Sequence, residues 1–253
     1  MKRWTLVVIA AVILGLLLAA CAPAAQPALK VGTSADYPPY ESKDDKNNYV
    51  GFDMDLIREV GKRIGREVQI ADMGFDGLIA AVQEGKVDAV IAAMQATDER
   101  KQKVDFSAPY HFVQDAFLVG PNSNLTLNSA KDAAAYKVGV QTGTIQEKWL
   151  VDNLVKPGLM KDEQVLRYER ADNAALDLQA GRIDTVLIIS DAAQKLAKDM
   201  GLKVALTTKE TVAAGQAIAL QKGSALKAAI DKAIGDMQSD GTIAKLQQQW
   251  GIP

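Results

Sequence analysis

Three short stretches carry residue types that could hold a small charged molecule. Tyr37 is followed by Pro38 and Pro39, and a ring on a loop stiffened by prolines loses little entropy when something docks on it. Arg100 stands in Thr97-Asp98-Glu99-Arg100, where Thr97 is placed to cap a helix. A cation in the first turn opposes the positive end of the helix dipole, so its presence implies a task. A planar guanidinium offers two parallel donors to a carboxylate; the alternative is a surface arginine paired with Asp98 or Glu99. The third stretch, Val138-Gly139-Val140-Gln141-Thr142-Gly143-Thr144-Ile145-Gln146-Glu147, reads as a strand, a glycine turn and a helix start with a Thr144-x-x-Glu147 capping box. The first N–H groups of such a helix form an anion site, and a plain cap is compatible with that role.

Other chemistries are poorly supplied. The 253 residues include one His and one Cys, too few for a histidine metal cage, a disulfide framework or a Cys-x-x-Cys centre. With 29 basic against 31 acidic residues, nothing favours nucleic acid. No phosphate loop, dinucleotide glycine motif or nucleophile–base pair is evident, so neither metal nor cofactor is expected. His111 reads as a packed or surface residue, and Met54 and Met94 as core fillers.

Elements that could position the three stretches alternate in kind. Apolar runs at 29–33, 67–71, 87–94, 136–140, 165–168 and 183–189 read as strands, separated by amphipathic helical stretches, the pattern of an α/β protein. The spacing predicts a helix over 53–64 capped by Asp53, with Leu56, Ile57, Val60 and Ile64 on one face. Gly85 and Gly181 read as helix stops. Residues 82–90 (Val-Gln-Glu-Gly-Lys-Val-Asp-Ala-Val) and 178–186 (Leu-Gln-Ala-Gly-Arg-Ile-Asp-Thr-Val) match in type position by position, which favours two similar lobes over one continuous sheet. Residues 115–121 would cross to the second lobe and 211–220 would cross back, with helices over 224–239 and 242–250 returning to the first. The expected division is 29–118 with 212–253 for lobe one and 119–211 for lobe two. A cleft between hinged lobes is the default site.

The first residues set the location. Met1-Lys2-Arg3 precedes an uncharged run, Trp4 to Ala20, and Leu18-Ala19-Ala20-Cys21 resembles the lipobox at which bacterial lipoprotein signals are cleaved. Residues 1–20 are then a signal peptide, Cys21 the lipid attachment, and residues 21–28 a flexible tether. The alternative is an uncleaved membrane anchor.

The motifs Gly32-Thr33-Ser34-Ala35-Asp36-Tyr37-Pro38-Pro39-Tyr40, Tyr49-Val50-Gly51-Phe52-Asp53, Phe75-Asp76-Gly77-Leu78, Thr97-Asp98-Glu99-Arg100 and Asp105-Phe106-Ser107-Ala108-Pro109-Tyr110 occur in this order. Together they resemble the amino-acid-binding family of bacterial extracellular solute-binding proteins, receptors of ABC importers, over residues 29–253. The resemblance implies a two-lobe, type II periplasmic-binding-protein-like fold with two hinge crossings. It implies a monomer that closes on an amino acid and delivers it to a membrane permease. It assigns Tyr37 and Phe75 as aromatic walls, Arg100 to the ligand's α-carboxylate, and Gln141, Thr142, Thr144 and the Ile145 N–H to the other half of that clamp. Backbone groups of Ala93 and the side chain of Gln95 would join the same layer, with Ser34 in the first loop.

Two positions depart from the family. The acids that receive the ligand's ammonium group are replaced by Ser34 and Ile189. Either Asp36, Glu169 or Asp191 supplies that charge, or the ligand is not a standard α-amino acid, an opine for example, because a buried ammonium without a partner is costly. The lack of an acidic ring around Tyr37 argues against a Lys or Arg side chain. A dehydratase of the cyclohexadienyl type shares the fold and is the competing function, but it needs an acid where Ile189 stands. A sensor acting on a membrane partner is a third reading.

Overall fold

The computed structural model describes residues 26–212 and 214–253. The expected signal segment and Cys21 lie outside them. No described helix is long and apolar enough to cross a membrane.

Two five-stranded sheets form the frame. The first runs β4 (Val68–Asp72), β1 (Leu29–Thr33), β5 (Ala89–Val90), β12 (Ala219–Leu220), β6 (Asp105–Phe106). The second runs β9 (Val165–Tyr168), β8 (Val138–Gln141), β10 (Thr185–Ile189), β7 (Asp115–Val119), β11 (Lys203–Thr208). In each, three parallel strands are followed by an antiparallel fourth. The sequence echo therefore has a structural counterpart, because β5 and β10 occupy the third place in their sheets. Gly85 and Gly181, both at φ 69°, make the turn into them in the left-handed region that glycine enters at least cost. Between β2 (Ser42–Lys43) and β3 (Tyr49–Val50) the first lobe adds a small hairpin.

The fourth strand of each sheet comes from the other half of the chain, which makes the two crossings. β7 lies wholly in the second sheet, so the chain has crossed by Asp115, four residues ahead of the boundary read from the sequence. The crossing segments run side by side, with Gln216 bridging both Gln95 and His111. Asp115 ties them: Gln146 Nε2 donates to one carboxylate oxygen at 2.8 Å and the Thr211 hydroxyl to the other.

Helix α1 (Phe52–Arg63) buries Phe52, Met54, Leu56, Ile57 and Val60 in the core, at roughly 1.5–3 kcal/mol for each large side chain removed from water. Asp53 does not cap it. The N-cap is Gly51, at φ 131°, where an added Cβ would stand 2.1 Å from the Tyr40 carbonyl oxygen. Asp53 instead points inward and accepts the Ala93 N–H at 2.7 Å, holding Ala93 at φ 47°. That bond explains why the expected strand 87–94 is only two residues long: the backbone turns out of the ladder at Ala93 to reach the cleft.

The later helices are α2 (Leu78–Gln83), α3 (Asp98–Lys103), α4 (Ile145–Leu150), α5 (Ala171–Gln179), α6 (Ser190–Met200), α7 (Leu226–Ser239) and α8 (Thr242–Trp250). Thr97 and Thr144 cap α3 and α4 through their side-chain oxygens. Glu147 reaches back to the Gly143 N–H at 2.7 Å, one residue earlier than a capping box requires.

Candidate functional site

The carboxyl ends of β1, β5, β8 and β10 converge on a cavity between the lobes, where open α/β sheets place ligands. It is lined by Ser34, Tyr37, Glu41, Phe75, Ala92, Ala93, Gln95, Arg100, Gln141, Thr144, Ile145, Gln146 and Ile189, around a space of about 350 Å3 including its opening to solvent. Nine of the ten ligand-binding positions read from the sequence are among them. Thr142 is not, because its N–H donates to the Tyr168 carbonyl at 2.8 Å and so extends the β8–β9 pairing.

Arg100 joins the two lobes. Its guanidinium donates to the Gln95 carbonyl at 2.9 Å and, across the cleft, to the Gly143 carbonyl at 3.1 Å. It lies 5.3 Å from the centre of the Phe75 ring, a cation–π contact. Burial lowers its pKa to about 10, still far above neutral, so it stays a cation. Two carbonyls leave much of the five-donor fork available for an anion. The Asp98 and Glu99 carboxylates do not hold it; Asp98 pairs with Lys101 instead.

Further bonds close the cleft. The Tyr37 hydroxyl accepts the Ile189 N–H at 3.0 Å, and the Tyr40 hydroxyl donates to Asp191 at 2.5 Å. Gln141 Nε2 donates to Asp36 at 3.0 Å and to the Glu169 carbonyl at 3.2 Å. Arg170 donates to Asp72 at 3.1 Å. Two expected ligand contacts are thereby redirected: the Gln141 amide faces Asp36, and the Ala93 N–H is taken by Asp53. The Gln95 side-chain oxygen accepts the Ala214 N–H at 3.0 Å, fastening the cavity wall to the second crossing.

Neither Asp36, Asp191 nor Glu169 lines the cavity. Asp36 lies beneath Ser34 and accepts from the Ser34 hydroxyl at 2.7 Å, from Gln141 and from the Ala171 N–H, with Arg170 at 3.6 Å. Burial nonetheless raises its carboxyl above the usual range. Asp191 sits behind Ile189 between Tyr40 and His111 Nε2, 3.2 Å away. Although burial opposes it, His111 and Tyr40 hold that carboxyl below its usual value. His111 is buried and reaches Gln247 of α8 with its other ring nitrogen, a packed residue as expected.

The acid that does line the cavity is Glu41, which the sequence reading passed over. The Tyr37 N–H donates to its carbonyl at 2.7 Å, and the residue is 1% exposed. Burial and the neighbouring Asp53 carboxylate push its carboxyl well above the ordinary carboxylate range. Asp53, fully buried, is raised to about 6, chiefly by burial. The sequence shows no acidic ring around Tyr37, but the fold brings one acid, Glu41, beside it. The signal was available as Tyr37-Pro38-Pro39-Tyr40-Glu41, where a tight turn returns the fifth residue beside the first.

Residues 29–253 match the bacterial extracellular solute-binding proteins, family 3. The chain belongs to that family. Among its relatives, the L-cystine-binding protein TcyJ of Escherichia coli is 33% identical over 223 residues, covering 88% of this chain and 82% of its own. The arginine-binding extracellular protein ArtP of Bacillus subtilis is 32% identical over 258 residues, covering 99% and 98%. An ancestral arginine-binding protein bound to arginine superposes with a TM-score of 0.82 at 36% identity, covering 89% of this chain and 99% of that one. Family 3 membership accounts for the two-lobe fold and for an amino acid as the class of ligand.

Proposed function

We propose that this chain is the extracytoplasmic receptor of an ABC importer, anchored through Cys21, that closes as a monomer on an amino acid with a cationic side chain and hands it to a permease. The observation that carries this reading is one cavity holding both Arg100 and Glu41 beside the rings of Tyr37 and Phe75. Arg100 and the N–H groups at the start of α4 receive the α-carboxylate; the two rings flank the aliphatic part of the side chain; Glu41 receives its charged end. The arginine-binding relatives support the same class.

Ile189 places an apolar wall where a dehydratase needs its acid, so the ligand is bound and released unchanged. The test is a thermal-shift screen of protein that has been unfolded and refolded to strip any bound ligand. Arginine or lysine at about a thousand times its Kd is expected to add roughly 4 kcal/mol, on the order of 8–16 °C. A shift with cystine, an opine or prephenate and none with a basic amino acid would overturn the assignment.

A further inference from the structure

Beneath the cavity, Glu41 and Asp53 form a carboxyl pair that the clamp around the α-carboxylate does not use. Asp53 Oδ2 is occupied by two donors, the Ala93 N–H at 2.7 Å and the Tyr110 hydroxyl at 2.9 Å. Asp53 Oδ1 and Glu41 Oε2 are buried and, among the described residues, meet no N–H or hydroxyl donor. The Asp53 N–H donates to the Tyr40 carbonyl at 2.9 Å, which sets Glu41 and Asp53 side by side. Two buried carboxylates have only lone pairs to offer, so these donorless oxygens are relieved when one carboxyl of the pair carries a proton. The surroundings favour that state. Of the groups acting on the pair, Asp36, Tyr37 and Tyr40 from the loop after β1 and Tyr110 from the hinge are acidic or neutral. His111, whose Nε2 is directed to Asp191, acts on Asp53, and Arg100 lines the same cavity as Glu41.

We propose that Glu41 and Asp53 hold one proton between them in the open protein, and that a cationic ligand side chain docking on the cavity face of Glu41 displaces it to solvent. This rests on the ligand class inferred above. In the exchange the Glu41 O–H bond breaks, the proton passes to buffer, and the guanidinium or ammonium replaces it as the countercharge; no other bond changes. The buried cluster keeps the same net charge before and after, which avoids the cost of either two unpaired carboxylates or an unpaired cation. A ligand with a neutral side chain leaves the proton in place. Because the free protein binds the extra proton, affinity for a cationic ligand rises with pH, while affinity for a neutral one does not.

The experiment is titration calorimetry of L-arginine and L-glutamine in two buffers of different ionisation enthalpy, with infrared difference spectra of ligand-free protein at neutral pH. Arginine is expected to release about one proton per molecule bound and glutamine none. A protonated-carboxyl band is expected in the free protein and lost in Glu41→Gln, which also weakens arginine on the order of ten- to a hundredfold. In Asp53→Asn the new amide donates to Glu41 in place of the proton, so arginine still binds but no proton is released; this marks Asp53 as a positioning residue. Arginine binding without proton release, or equal release by glutamine, would overturn the exchange. The carboxyl band together with no arginine binding would instead overturn the ligand class, and the exchange with it.

Discussion

Glu41 and Asp191, buried acids on opposite walls of the cleft, are used in opposite ways. On the first lobe, Glu41 presents its carboxyl to the cavity, with Asp53 beside it. Asp191 on the second lobe is a comparable buried acid, yet Tyr40 and His111 saturate it and Ile189 screens it from the cavity. Asp36 is nearer in sequence to the lost acid at Ser34, but four groups converge on it. An acid's function is therefore set by which donors compete for its oxygens, more than by its distance along the chain. The first wall binds; the second mainly approaches and latches.

Arg100→Ala tests the binding wall most severely. Losing the guanidinium leaves a bound carboxylate without its charged partner, and affinity for arginine is expected to fall by roughly 2–5 kcal/mol in calorimetry while the melting temperature of the free protein changes little. Unchanged affinity would remove Arg100 from the site.

Gly143→Ala tests the approach of the second wall. Gly143 lies at φ 78°, and an added Cβ would stand 2.9 Å from Asp76 Cα on the opposite lobe. Strain and contact together are expected to cost about 1–3 kcal/mol of affinity, with a more open ligand-bound form in small-angle scattering. A variant that closes normally would show that the walls have slack at this point.

Tyr40→Phe removes the latch hydroxyl and nothing from the cavity. It should weaken all ligands together by about 0.5–1.5 kcal/mol, so the ratio of arginine to lysine affinity stays constant. A changed ratio would mean that the latch also shapes the site.

At the hinge the expected effect is on stability, not on affinity. Burial raises the Asp115 carboxyl to about 6 from 3.8, so between those values the folded protein binds a proton that the unfolded chain releases, and this group's contribution to stability falls as pH rises through that window. Asp115→Asn should remove that part of the pH dependence of the melting temperature. An identical pH profile in the variant would show that Asp115 is not the group responsible.

Much of this was legible in the chain. The repeated helix–glycine–strand unit at 82–90 and 178–186 exposed the two-lobe plan because a backbone that must turn left-handed at one position advertises it with glycine. Arg100 stood out because a cation at a helix start is electrostatically misplaced unless it has an anion to meet. The caps at Thr97 and Thr144 depend on groups three residues away and were likewise local.

What failed was contact over distance. Asp53 looked like a cap because the cap position is defined by neighbours in sequence, whereas its real partners, Ala93 and Tyr110, lie 40 and 57 residues on. Ala93 and Gln141 both line the cavity as expected, yet the Ala93 N–H goes to Asp53 and the Gln141 amide to Asp36, partners that only the fold brings to them. The sequence by itself determined the fold class and the family, because the first rests on periodicity and turn chemistry and the second on an ordered set of local motifs. Only the tertiary structure decided that Asp36 and Asp191 hold the lobes together while Glu41 faces the cavity, because the availability of a buried carboxyl is fixed by donors that folding brings from distant parts of the chain.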